Sequence, residues 1–156
     1  AGVLYVGLML TKDGPQVIEF NCRFGDPEAQ AILPRLRTDL VSAMLATTNA
    51  SLHHFDMRWD PRAAVTVVMA SKGYPESYEK GSVIRAIDAA ETVPDCNVFH
   101  AGTALADNGD LIAVGGRVLA VTALGDDAET ARRNAYAGVA KIDWQGGFYR
   151  SDIAKT

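Results

Sequence analysis

The sequence predicts a mixed α+β fold in two parts, and three observations carry that prediction. Two apolar segments near the amino terminus bracket a turn, helix-start chemistry follows at once, and the second half is a run of short strands closed by one late helix. Of the 156 residues, 48% are apolar and 22% charged, a globular balance that excludes a disordered chain. Gly, Lys, Asp or Arg interrupts every apolar run before the roughly 20 residues needed to span a bilayer, so no membrane segment is expected. A net charge of -4 offers no general basic field for nucleic acid, and a small anionic ligand fits better. Cys22 and Cys96 lie far apart without metal-type spacing and read as reduced thiols, consistent with a cytoplasmic protein. The chain starts at Ala1 directly on an apolar segment, without an initiating Met, which predicts a fragment.

Residues 3–11 read as a strand, Lys12-Asp13-Gly14-Pro15 as a turn and residues 16–22 as a second strand, together a β-hairpin. Asp26-Pro27-Glu28 then offers a helix start, with Asp as cap, Pro in first place and an acid in the first turn, for a helix running to about Leu36. Thr38-Asp39 caps another, with Leu40, Val41, Met44 and Leu45 on one face. Periodicity fails over residues 47–61, which places a domain boundary near Pro61: residues 1–60 form one domain and 61–156 a second, strand-rich and barrel-like. Strands are expected at 64–70, 82–87, 98–106, 111–114 and 117–123. After Asp126-Asp127, Ala128, Ala131, Ala135, Val139 and Ile142 fall at helical spacing, and Lys141 suits the helix end.

The chemistry concentrates in the hairpin. In Val17-Ile18-Glu19-Phe20-Asn21 the period of two puts Glu19 and Asn21 on one face and Ile18 and Phe20 on the other. Two rises of about 3.3 Å separate the Cα atoms of Glu19 and Asn21 by about 7 Å, so a carboxylate and an amide oxygen can converge on one hard cation such as Mg²⁺. Arg23 follows and can set a positive fork near nucleotide phosphates. The same residues equally suit a solvated sheet face with Arg23 paired to Glu28 or Asp26.

The run Val17-Ile18-Glu19-Phe20-Asn21-Cys22-Arg23-Phe24-Gly25-Asp26-Pro27-Glu28 resembles the metal-binding signature of glycinamide ribonucleotide synthetases, in the ATP-grasp superfamily. The likeness continues in order through Ala70-Ser71-Lys72-Gly73-Tyr74-Pro75, Val98-Phe99-His100-Ala101-Gly102-Thr103, Gly115-Gly116-Arg117-Val118-Leu119 and Phe148-Tyr149-Arg150-Ser151-Asp152-Ile153. It implies that residues 1–60 end an ATP-grasp domain and that 61–156 bind substrate. It further implies ATP-driven ligation of glycine to 5-phosphoribosylamine through a glycyl phosphate, in purine synthesis. Glu19 and Asn21 would be ligands of Mg²⁺ or Mn²⁺, and Arg23 a phosphate-contacting, catalytic residue. Family architecture also implies amino-terminal domains that this chain lacks, so the chain alone is expected to be inactive.

In the second half, Gly115-Gly116-Arg117 lies between apolar strands, where glycines let backbone approach a ligand and Arg117 can grip phosphate. A plain turn with a surface Arg reads as well without the family. With it, Arg117 and Gly116 are substrate-site candidates, and Lys72 a lesser one, since Lys72-Gly73-Tyr74-Pro75 is also a simple turn. His100, His53 and His54 read as structural or exposed. Two competing readings remain: a related ligase of another substrate, which the run from Arg23 to Glu28 argues against, and a noncatalytic module that binds a phosphorylated metabolite or a protein.

Overall fold

The computed structural model describes residues 1–155. Its first elements are β1 (Tyr5–Thr11) and β2 (Gly14–Asn21), paired antiparallel. Gly14 closes their turn at φ 100°, open to glycine at little steric cost, and Thr11 Oγ1 donates to its carbonyl at 2.8 Å. Register slips at Gly7/Leu8, leaving Ile18 as the extra residue of a β-bulge.

The helix expected from Asp26 to Leu36 is shorter and starts later. It is α1 (Glu28–Ile32), followed by a 3₁₀ turn, Leu33–Arg35. Pro34 brings no N–H, so the i→i−4 ladder stops there. Asp26 does not cap the helix: Pro27 occupies the capping position after a cis peptide bond, and Asp26 Oδ1 instead accepts from Gln30 Nε2 at 2.9 Å. α2 (Leu40–Thr48) has the expected cap, with Asp39 Oδ1 accepting from the Ser42 N–H at 2.7 Å. Its buried residues are Ala43 and Ala46, whereas Val41, Met44 and Leu45 of the expected apolar face stay exposed. Small side chains, not large ones, are the buried ones there. Asp60 ends this part as a buried carboxylate that accepts from Arg37 Nη2 at 2.8 Å, while Arg35 Nη2 donates to its carbonyl at 3.1 Å.

Contacts divide the chain into two compact units, Ala1–Asp60 and a second from Pro61 onward. The second contains β3 (Ala63–Ser71), α3 (Ile87–Glu91), β4 (Cys96–His100), β5 (Thr103–Leu105), β6 (Leu111–Ala113), β7 (Arg117–Gly125), α4 (Ala128–Val139) and β8 (Gly147–Phe148). An antiparallel sheet runs in the order β4-β7-β3-β8, and β5-β6 form a separate ribbon. The mixed fold is thus as expected, with the strands of the second unit gathered in an antiparallel sheet and a ribbon, and Val83 and Arg85 bridging to Ile112 and Asp143.

Two strand expectations fail, each because of what the segment meets elsewhere in the chain. Residues 82–87 make only isolated bridges, Val83 to Ile112 and Arg85 to Asp143, before Ala86 turns left-handed at φ 63° and α3 begins. The long strand at 98–106 breaks at Ala101-Gly102 because Gly102 meets Gly115 backbone to backbone. A Cβ on Gly102 would lie 2.7 Å from Gly115 Cα.

The sheet's registers define its core. Val67 faces Val121 on the neighbouring strand, Met69 faces Leu119, and Val98 faces Val121 from the other side, so these side chains share one face. That face belongs to the cluster that includes Ala131, Ala135 and Val139 of α4. Alanines and Gly138 let the helix approach closely: a Cβ on Gly138 would stand 2.6 Å from Cys96 Sγ and 3.0 Å from Val121 Cγ1. On the opposite face the buried Thr122 hydroxyl is paired with Thr66 at 2.7 Å. Asp127 caps α4 as its sequence predicts, accepting from the Thr130 N–H at 2.7 Å.

Candidate functional site

Two groups of candidate residues occupy different units. In the first unit, hairpin register sets Tyr5 opposite Asn21 and Gly7 opposite Glu19, which brings these four positions to one face. Glu19 and Asn21 stand side by side, in contact through the amide nitrogen rather than through two converging oxygens: Asn21 Nδ2 donates to Glu19 Oε1 at 3.1 Å. Gly7 leaves room across the pair: a Cβ there would come within 3.1 Å of Glu19 Cγ. Tyr5 and Glu28 also belong to this surface. Tyr5 OH donates to Glu28 Oε1 at 3.1 Å and ties the hairpin to α1. Partial burial, that hydrogen bond and the charges of Glu28 and Glu19 together push the Tyr5 phenol above its ordinary pKa. Gly25 makes space for the Glu28 carboxylate, because a Cβ on it would overlap Glu28 Oε2.

Sequence reasoning treated Glu28 as architecture and passed over Tyr5. The missed signal was pairing across the turn, which brings Tyr5 into phase with Glu19 and Asn21. Arg23 lies just beyond β2, exposed, with Nη1 donating to the Phe24 carbonyl at 2.8 Å. This bond fixes one edge of the guanidinium and leaves its planar fork four further N–H groups. Among the described residues no cluster of three or more His, Cys, Asp or Glu side chains is placed to hold a metal. Glu19 carries two carboxylate oxygens and Asn21 one amide oxygen, hard donors of the type Mg²⁺ takes, and a cation held by this pair would need to complete its shell elsewhere.

In the second unit, Phe148 pairs with Ala70, and Ala70 with Arg117, so the three stand in a row across β8, β3 and β7. With strands about 4.8 Å apart, Arg117 and Phe148 Cα atoms lie about 10 Å from each other. A pocket of about 230 Å³ opens over this row, lined by Ala70, Tyr74, Arg117, Phe148, Tyr149 and Arg150 among others. Arg150 is held in place by Asp152, with Nε to Oδ1 at 2.9 Å and Nη2 to Oδ2 at 2.8 Å. This pairing holds the Asp152 carboxyl below its ordinary pKa and raises that of Arg150.

The glycines beside Arg117 are occupied by protein. Gly115 packs on Gly102, and a Cβ on Gly116 would fall 2.2 Å from Tyr74 Cδ2 and 3.2 Å from Tyr78 Cε1. Gly116 thus seats the Tyr74 ring in the pocket wall, and its carbonyl accepts from the Ser71 N–H at 2.8 Å. Lys72 lines a different hollow, of about 290 Å³, with Glu79, Ser82 and Gln145, and its ammonium donates to the Gln145 carbonyl. Arg117 and Lys72 do not line one pocket. His100 Nδ1 pairs with Thr103 Oγ1 at 3.1 Å on the surface, and the rings of His53 and His54 touch at a tilt of 46°, centroids 3.8 Å apart, in an exposed 3₁₀ turn.

The family profile "Phosphoribosylglycinamide synthetase, ATP-grasp (A) domain" matches residues 1–29, and "Phosphoribosylglycinamide synthetase, C domain" matches residues 64–156. The chain belongs to the phosphoribosylglycinamide synthetase family. Among its relatives, the chloroplastic phosphoribosylamine–glycine ligase of Arabidopsis thaliana is 52% identical over 97% of this chain and 29% of its own length. The trifunctional purine biosynthetic protein adenosine-3 of Gallus gallus is 55% identical over 97% of this chain and 15% of its own. The crystal structure of phosphoribosylamine–glycine ligase from Thermotoga maritima superposes with a TM-score of 0.75 at 37% identity, covering 96% of this chain and 36% of that one. The chain therefore spans about a third of the length of the ligases it resembles.

Proposed function

We propose that this chain supplies one edge of the ATP and metal site and one edge of the substrate site of a phosphoribosylamine–glycine ligase. Such an enzyme joins glycine to 5-phosphoribosylamine with cleavage of ATP. The observation that carries the reading is the contact between Glu19 and Asn21 on the polar hairpin face, in a chain whose relatives bear that ligase's name. Glu19 and Asn21 hold Mg²⁺, or Mn²⁺ in its place, and the ion when bound offsets the charge of the nucleotide phosphates. Arg23 adds a fixed positive group beside those phosphates, where charge builds as the phosphoryl group passes to glycine's carboxylate. Tyr5 and Glu28 hold the hairpin end against α1 and so keep the two ligands in register.

In the second unit, Arg117 grips the ribose phosphate at the mouth of the pocket and Tyr74, seated by Gly116, walls it. Lys72 serves the neighbouring hollow and stays outside that grip. No helix among the described residues is long and apolar enough to cross a membrane. With both cysteines free, a cytoplasmic setting suits the reading.

Calorimetry with glycinamide ribonucleotide tests the substrate half of this proposal. Wild-type chain is expected to bind, and Arg117→Ala to lose at least tenfold in affinity, about 1.4 kcal/mol. Binding that is indifferent to both the phosphate and Arg117 would instead favour a protein-interaction module.

A further inference from the structure

We propose that Tyr136 and Arg132 of α4 are positioning residues for the Arg117 pocket: they clasp the chain after β8 so that Tyr149 and Arg150 form its wall. The inference rests on the reading of that pocket as the phosphate site. Residues 149–155 belong to no strand or helix, so their backbone groups need partners outside regular structure. Two side chains supply partners for four of them. Tyr136 OH donates to the Arg150 carbonyl at 2.6 Å and accepts from the Ile153 N–H at 3.1 Å. Arg132 Nε donates to the Ile153 carbonyl at 2.9 Å, and its Nη2 to the Ser151 carbonyl at 2.8 Å.

Tyr136 and Arg132 are four residues apart, hence neighbours on one helix face. The guanidinium lies 4.8 Å from the centre of the Tyr136 ring, which in turn packs at 6.1 Å on the ring of Tyr149. Each member of the clasp thus braces the other. The adjoining face of α4 carries Ala131 and Ala135, both fully buried against the sheet, so the helix that holds the clasp is itself anchored in the core. A pocket wall without secondary structure thereby inherits the position of the best-packed part of the unit.

Tyr136→Phe removes both hydroxyl bonds and keeps the ring. In hydrogen exchange, the Ile153 amide of this variant is expected to exchange at least tenfold faster than in wild type. In calorimetry with ribose 5-phosphate as probe, its affinity is expected to fall about tenfold while its thermal midpoint stays close to wild type. Arg132→Lys, which keeps the charge but reaches one carbonyl instead of two, should fall between them. Unchanged affinity in both variants overturns the positioning role, whether or not exchange rises. If Arg117→Ala still abolishes binding in that case, the phosphate site itself stands. Failure of the wild-type chain to bind ribose 5-phosphate overturns the site reading and the positioning role together, leaving the clasp a structural fastening only.

Discussion

Gly138 shows how a single residue can reverse an ordinary rule. In an open helix, Gly→Ala adds stability of about 0.5–1 kcal/mol because alanine loses less backbone entropy. Here the added methyl would sit 2.6 Å from Cys96 Sγ and 3.0 Å from Val121 Cγ1, inside a filled core. Gly138→Ala is therefore expected to cost about 1–3 kcal/mol, the usual range for overpacking, read as a lower midpoint in denaturant at unchanged slope. A gain in stability would show that α4 rides further from the sheet. At this scale the sequence was only partly legible. Period-two spacing put Glu19 and Asn21 on one face, which is local, and the run from Val17 to Glu28 singled them out. Tyr5, Gly116 and Gly138 did not, because their roles depend on what stands opposite across a turn or a sheet. Gly116 is instructive: a glycine beside an arginine suggested a backbone open to ligand, yet Tyr74 already fills that space.

Among the elements, α2 and α4 were legible because each carries its own start signal, an aspartate whose side chain accepts from the third residue on. The hydrogen bonds from Thr130 chiefly hold the Asp127 carboxyl below its ordinary pKa. A group whose folded pKa is depressed contributes stability above its unfolded value and loses it as pH falls through the folded one. Asp127→Ala is thus expected to lower the thermal midpoint at neutral pH. The gap to wild type should close below about pH 4, where the wild-type carboxyl also protonates. A gap that persists undiminished at pH 2 would assign the effect to something other than the charged cap. Elements without their own punctuation were misjudged. Residues 82–87 have strand-like composition but meet only single bridging partners, and the 98–106 segment is cut where two distant glycines touch. Neither fact is written locally.

For the molecule as a whole, the two units differ in how they hide apolar surface. In the second, β7 is almost wholly buried, from Val118 at 0% exposure to Leu124 at 7%. In the first, the hairpin leaves Leu4, Leu8, Leu10, Ile18 and Phe20 at least half exposed, and a two-stranded ribbon is marginal by itself in water. Residues 61–156 expressed alone are expected to unfold cooperatively on heating. Residues 1–60 expressed alone should show no such transition and should bind a hydrophobic dye. The reverse result would mean that stability runs from the hairpin into the sheet. The mixed fold and the change of character near Pro61 could be read from the sequence. The strand order could not, since it follows from pairings between segments far apart in the chain.

Those distant pairings bear on how the second unit acquires its structure. β7 is the middle strand, flanked by β3 and β4, so neither neighbour finds its place until β7 has left the ribosome. Joining β3 to β7 closes a long loop, whose entropy must be met before the contacts repay it. The fold is thus committed late, and α4, which follows β7 directly, can pack on the sheet almost as soon as that strand docks. The pocket-lining segment, which follows α4 in the chain and is fastened to it, can settle only after that helix has docked.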